Sequence, residues 1–196
     1  EEIASTPVTL ASFPKGAGSG DLFHSIFETL DFSSPSEMIS KQVRSKFDTF
    51  GFLDTELIQM GETAVKEVIQ TRLEIQSEKG TTGFCLKDIN LDKRFNEMEF
   101  VFPVSSFKVS AVKNVFEKSD TRFKTSGYVN RVSKLATESF QGFLKGFIDL
   151  VIQHKGKWYI VDYKSNYLGN TYRHYSQDAM FKAMSDHHYF LQYYLY

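Results

Sequence analysis

The stretch Gly142 to Ser165, GFLKGFIDLVIQHKGKWYIVDYKS, constrains this chain more than any other. Phe143 to Gln153 is rich in β-branched and aromatic residues, and Trp158 to Lys164 alternates, so both arms read as strands. Between them His154-Lys155-Gly156-Lys157 predicts a two-residue turn, with Gly156 at positive φ. His154 then pairs with Lys157, and the register carried down the ladder sets Asp149 directly across from Asp162.

Opposed side chains on antiparallel strands stand about 5 Å apart, where like charges destabilise the pair. Here the pair is embedded in apolar sequence. Phe147, Ile148, Leu150 and Val151 surround Asp149, and Ile160 and Val161 precede Asp162. A carboxylate buried in this way is neutralised, ion-paired or bound to a cation. Lys164, two residues past Asp162, falls on the same face. Two readings follow: a salt bridge between Lys164 and one aspartate, or two carboxylates holding a hard cation such as Mg2+ with the lysine beside it.

Asp149, followed thirteen residues later by Asp162-Tyr163-Lys164, resembles the D…(D/E)xK core of the PD-(D/E)xK nuclease superfamily. The surrounding LKGFIDLV, WYIVDYKSNYLG and the Gln-x-x-x-Tyr at Gln192 and Tyr196 are similar to the RecB-type nuclease domains, those of exodeoxyribonuclease V beta subunits. The run FPKGAGSGDLFHSIFETLDF resembles the opening of the same domains, so the likeness brackets Phe13 to Tyr196.

At 196 residues the chain is long enough for one domain with a proper core. A formal net charge of −1 gives no overall basic excess, so any DNA-binding groove rests on local charge distribution. The lone Cys85 excludes an internal disulfide and fits a reducing, cytoplasmic compartment. No apolar run approaches the ~18 residues of a membrane span. Lys15 to Gly20 alternates glycine, yet no G-K-[ST] completes a phosphate-binding loop.

Residues 1–12 read as a linker from a preceding domain. Ser19 or Asp21 caps a predicted helix carrying Phe23, Ile26, Phe27 and Leu30, with His24 at the border of that stripe. By pattern alone such a histidine is more often packed or on the surface than a ligand. Ser36–Phe47 and Thr55–Ile75 read as helices, Lys79–Thr82 as a loop and Lys93–Phe102 as a strand with Glu97 and Glu99 on one face. If that strand neighbours Asp149, one glutamate reaches the acid pair; otherwise both face water. Lys108, Lys113, Lys118, Arg122, Lys124, Arg131 and Lys134 make either a solvated face or a phosphate-contacting wall. Tyr175–Tyr196 reads as one helix with Ala179, Met180, Ala183 and Met184 inward, and Gln192 and Tyr196 at i and i+4.

The resemblance implies a mixed α/β fold, a mixed central sheet flanked by helices, over residues 13–196, with a further strand and helices expected beyond Tyr196. It implies Asp149, Asp162 and Lys164 as catalytic residues and His24, Asp149, Asp162 and the Tyr163 carbonyl as ligands of Mg2+. Gln192 and Tyr196 would contact the DNA. The function expected is a metal-dependent deoxyribonuclease acting on single strands fed by a helicase, with RecC-like and RecD-like partners and no membrane. Two other readings stand beside it: a scaffold or DNA-holding module of the same fold, and a restriction-type or CRISPR-associated nuclease of the same superfamily.

Overall fold

A computed structural model describes residues 2–77, 80–107, 109–134 and 140–196. Lys79 and Lys108 of the loop and basic segments, and residues 135–139, lie outside the described residues. The chain divides into two compact units: residues 1–98 with 148–176, and residues 99–147 with 177–196.

In the first unit a short helix α1 (Glu2–Ser5) precedes α2 (Ala17–Thr29), α3 (Ser36–Thr49) and α4 (Thr55–Gln70). α2 buries Leu22, Phe23, Ile26 and Phe27, the stripe expected from spacing. It begins earlier than expected. Gly16, not Ser19 or Asp21, occupies the N-cap, and the Ser19 hydroxyl donates to the Pro14 carbonyl at 2.7 Å. Asp54 caps α4, its Oδ1 accepting from the amides of Glu56 and Leu57 at 2.8 and 3.1 Å.

α3 and α4 meet at Gly61, where a Cβ would come within 2.1 Å of the Phe47 ring. Phe47 is fully buried among Phe13, Phe23 and Phe52, so its ring has nowhere to go. In an exposed helix Gly→Ala gains about 1 kcal/mol; here overpacking reverses the sign. Gly61→Ala is expected to destabilise the protein by about 1–3 kcal/mol, read as a lower urea midpoint with the m-value unchanged.

The predicted helix Thr55–Ile75 ends instead at Gln70, with Thr71 in extended backbone. Residues Arg72–Ser77 form strand β1, paired antiparallel with β2 (Gly80–Cys85) from Arg72↔Cys85 to Ser77↔Gly80. The expected loop at residues 79–82 is therefore strand from Gly80 onward. Strands β3 (Arg94–Phe107), β4 (Phe140–His154) and β5 (Lys157–Val161) form a second sheet in the order β3-β4-β5. β4 and β5 pair antiparallel with His154 opposite Lys157, as the turn chemistry requires. Both turn residues, Lys155 (φ 50°) and Gly156 (φ 76°), are left-handed, the signature of a type I′ hairpin. Leu150 and Ile152 of β4 enter the helical core with Phe84 and Leu86, and Tyr159 and Val161 of β5 pack against it. Residues 6–8 are tied to the 170–172 loop, with the Val8 amide donating to the Asn170 carbonyl at 2.9 Å.

The second unit holds α5 (Val109–Ser119), α6 (Thr121–Thr125), α7 (Tyr128–Val132), α8 (Gln177–Asp186) and α9 (Tyr189–Leu195). Its core is aromatic. Phe116, Phe123 and Tyr128 are buried together, with Phe181 and Phe190 packed against them. The single helix expected over Tyr175–Tyr196 is broken at His188, which is left-handed (φ 58°). The break lets Phe181 and Phe190 meet at 4.9 Å on one core, so Phe181 points inward while Met180 is exposed. Several of the basic residues are paired: Lys113 with Glu117, Arg122 with Asp120, Arg131 with Asp186. Among the described residues no helix is long and apolar enough to cross a membrane.

Candidate metal and catalytic site

Three elements of the first unit converge on one spot. α2 buries Phe23 and Phe27, and the helical turn leaves His24 beside that stripe, half-exposed. β4 buries Ile148 and Leu150 on one face and so presents Asp149 on the other. The Asp149 Oδ2 lies 3.6 Å from His24 Nδ1.

The third contributor is Glu97. Its left-handed backbone (φ 47°) interrupts the alternation expected of β3, in the manner of a bulge that re-aims a side chain. One ligand atom each from His24, Glu97 and Asp149 falls within 4.8 Å of the others. Glu99, expected on the same face as Glu97, is salt-bridged to Lys145 at 2.7 Å. Sequence spacing singled out the two glutamates together. Only the strained backbone at Glu97 distinguishes them.

The segment after β5 borders the cluster, but Asp162, expected as a ligand, is not among the three residues grouped there. β5 ends at Val161, paired with Leu150, so the expected Asp149–Asp162 pair lies one step beyond the end of the ladder. The Tyr163 amide donates to Asp149 Oδ2 at 2.8 Å. Its ring stacks on Phe27 at 4.6 Å and meets His24 edge-on at 6.2 Å. Asp162 and Lys164 are ion-paired with each other. Tyr163 thus acts as the peg that fixes its two polar neighbours against α2.

Behind the peg sits Arg94, buried, donating to the Leu30 carbonyl at 2.5 Å with its guanidinium 3.9 Å over the Phe32 ring. It closes the carboxyl end of α2, where a cation is favoured. Sequence reasoning passed over it, since an arginine at the start of a strand carries no distinguishing signal.

Burial raises the pKa of Asp149 above the usual carboxylate value, with the Asp162 charge adding to it and the Tyr163 amide, His24 and Lys164 opposing. Burial likewise raises Glu97, with Asp149 and Glu28 as further causes. Two carboxylates that penalise each other's charge, next to an imidazole nitrogen, are a donor set that a divalent cation relieves. The observed clustering fits such a cation.

Gln192 and Tyr196 lie in the second unit. They are joined to each other, Gln192 Nε2 to Tyr196 Oη at 2.5 Å, and the Tyr196 hydroxyl donates to the Phe147 carbonyl at 2.9 Å. With Phe100, Leu144 and Leu191 they border a cleft of about 310 Å³.

Residues 14–196 match the model of the PD-(D/E)XK nuclease superfamily. The chain is 36% identical over 197 residues to the RecBCD enzyme subunit RecB of Escherichia coli (strain K12), covering 100% of this chain and 15% of that protein. It is 30% identical over 188 residues to the RecB subunit of Haemophilus influenzae, covering 95% of this chain and 14% of that one. Against RecB of Mycobacterium tuberculosis the identity is 26% over 202 residues, 95% and 18% of the two lengths. The chain therefore spans about one seventh of the length of the first two of these curated relatives. With a mixed α/β fold, a matching family model and RecB relatives aligned along its whole length, the chain belongs to the PD-(D/E)XK nuclease superfamily.

Proposed function

We propose that this domain is a Mg2+-dependent deoxyribonuclease of the exodeoxyribonuclease V type. It would hydrolyse single-stranded DNA delivered by a helicase, in a complex with RecC-like and RecD-like subunits, during double-strand-break processing and recombinational repair. The observation that carries the reading is the convergence of His24, Glu97 and Asp149 within 4.8 Å, together with the Asp162–Lys164 pair anchored beside Asp149 through the Tyr163 amide. The similarity to RecB subunits supports the partners and the cellular process.

In this reading His24, Asp149, Asp162 and the Tyr163 carbonyl hold the cation, and Glu97 joins them. Held by these residues, a divalent cation would supply Lewis-acid chemistry to the water and to the scissile phosphate. The protein's own contribution is positional. Tyr163 holds Asp149 through its amide and is itself clamped by Phe27, so the acids keep their spacing without substrate. Lys164 places an ammonium beside Asp162, where it donates to the attacking water and to the oxygens that gain charge in the pentavalent transition state. Gln192 and Tyr196, already joined, offer an amide and a phenol to the strand.

The test is cleavage of an end-labelled single-stranded oligonucleotide in Mg2+, with and without EDTA. Cleavage abolished by the chelator and restored by excess Mg2+ is expected. Cleavage that persists in EDTA would exclude a metal mechanism, and absence of both cleavage and calorimetric Mg2+ binding would favour a scaffold role.

A further inference from the structure

Trp158 and Ile160 of β5 stand opposite Gln153 and Val151 of β4. Opposed residues project to one face, and Asp149 lies two residues further along β4, so Trp158, Ile160 and Asp149 share that face. The reverse face, with Leu150 and Ile152, is closed by the core. On the Asp149 face Val151 is buried, but the part formed by β5 is open. Trp158 is 57% and Ile160 46% exposed, and Phe95 of β3, 55% exposed, is stacked on Trp158 with ring centroids 6.1 Å apart. At the end of the same hairpin the turn residue Lys155 is exposed, while Lys157, opposite His154, alternates to the reverse face.

Solvent-open aromatic rings are what unpaired bases stack on, whatever their sequence. The position fits the nuclease reading, on which this inference rests. From Asp149 to Gln153, the partner of Trp158, is four residues, about 13 Å at ~3.3 Å per residue. A stacked strand advances ~3.4 Å per nucleotide. The geometry points to a base-stacking subsite: Phe95 and Trp158 hold bases of single-stranded DNA about four nucleotides from the phosphate at the Asp149 cluster. Bases inside a duplex are not accessible to such rings, so the subsite selects unpaired strands without reading their sequence.

Trp158 is the only tryptophan in the chain, which makes it the reporter. In EDTA, where cleavage is blocked, the protein is titrated with an end-labelled twelve-nucleotide oligo(dT) and with an abasic strand of equal length and charge. Anisotropy reports binding and tryptophan emission reports stacking. Oligo(dT) is expected to quench Trp158 and to bind roughly tenfold tighter than the abasic strand. Trp158→Ala and Phe95→Ala should each weaken oligo(dT) binding by about five- to a hundredfold, leaving the abasic strand unaffected, while Trp158→Phe retains most of the affinity. Oligo(dT) that binds without changing the emission, an abasic strand that binds and quenches equally, or no binding at all would overturn the subsite. So would emission that shifts with protein concentration alone, which would mean a second copy covers this face. Quenching with no EDTA-sensitive cleavage would count against the nuclease reading only, and cleavage without quenching against the subsite only.

Discussion

Asp149→Asn is expected to lower the rate of Mg2+-dependent DNA cleavage by roughly 10³-fold, since a bound cation supplies several kcal/mol of charge stabilisation and each 1.36 kcal/mol is a factor of ten. In the same variant the melting temperature in EDTA should rise. The asparagine keeps the shape and still accepts the Tyr163 amide bond that now measures 2.8 Å, so the peg stays in place. What disappears is a carboxylate that burial and Asp162 push above the ordinary value of 3.8. A carboxyl with a raised folded pKa binds more protons folded than unfolded, so its contribution favours the fold at low pH. That contribution is lost as pH rises through the folded value. Above that value and without metal, the parent protein holds a charge its fold disfavours, and Asn removes it. Melting curves in EDTA across the acid-to-neutral range should show a shallower decline for the variant, and added Mg2+ should stabilise the parent but not Asp149→Asn. A variant that melts lower in EDTA and cleaves normally would make Asp149 a structural residue.

The opposing effects on activity and stability reflect how the site is built, and the same logic explains which parts of it could be read from sequence. The hairpin was legible because Lys155-Gly156 sits between two long strand patterns, and a two-residue turn fixes the register by itself. That register, carried one step further, predicts Asp149 beside Asp162; the ladder itself stops at Leu150↔Val161, yet the carboxylates are chemically conspicuous amid Ile148, Leu150 and Val161. The helical stripe of α2 was equally plain. His24, at its border, gained meaning only from the resemblance, and now stands 3.6 Å from Asp149.

What escaped was decided by tertiary context. The apolar residues Leu73 and Ile75 extend the stripe of α4 by helical count, yet they also alternate with Arg72, Glu74 and Gln76, and pairing with β2 settled the choice for strand. Val68 and Ile69 belong to the helix; the β-branched Thr71 already lies in extended backbone, where its side chain is less restricted. Glu97 and His188 are left-handed without being glycine, a conformation that no local propensity favours and that surrounding packing must impose. One of these puts a carboxylate into the site and the other turns the last helix onto its own core. Local rules fail at both positions because the rest of the fold overrules them.

Lys164→Met separates catalysis from metal binding. Cleavage is expected to fall by about 10²–10³-fold, the usual loss when a positioned donor to a developing oxyanion is removed, while calorimetric Mg2+ affinity is unchanged or higher. The reason lies in the Asp162–Lys164 ion pair. In the parent protein that carboxylate is shared with the ammonium, and a cation must compete with it; without the lysine that competitor is gone. Asp149→Asn should therefore lose binding and cleavage together, whereas Lys164→Met should lose cleavage alone. Were Lys164 merely the counter-ion of Asp162, its removal would tighten Mg2+ binding and leave single-turnover cleavage at the parental rate. The two results cannot be confused, because metal affinity moves the same way in both and only the chemical step distinguishes an ammonium that stabilises the transition state from one that neutralises an aspartate.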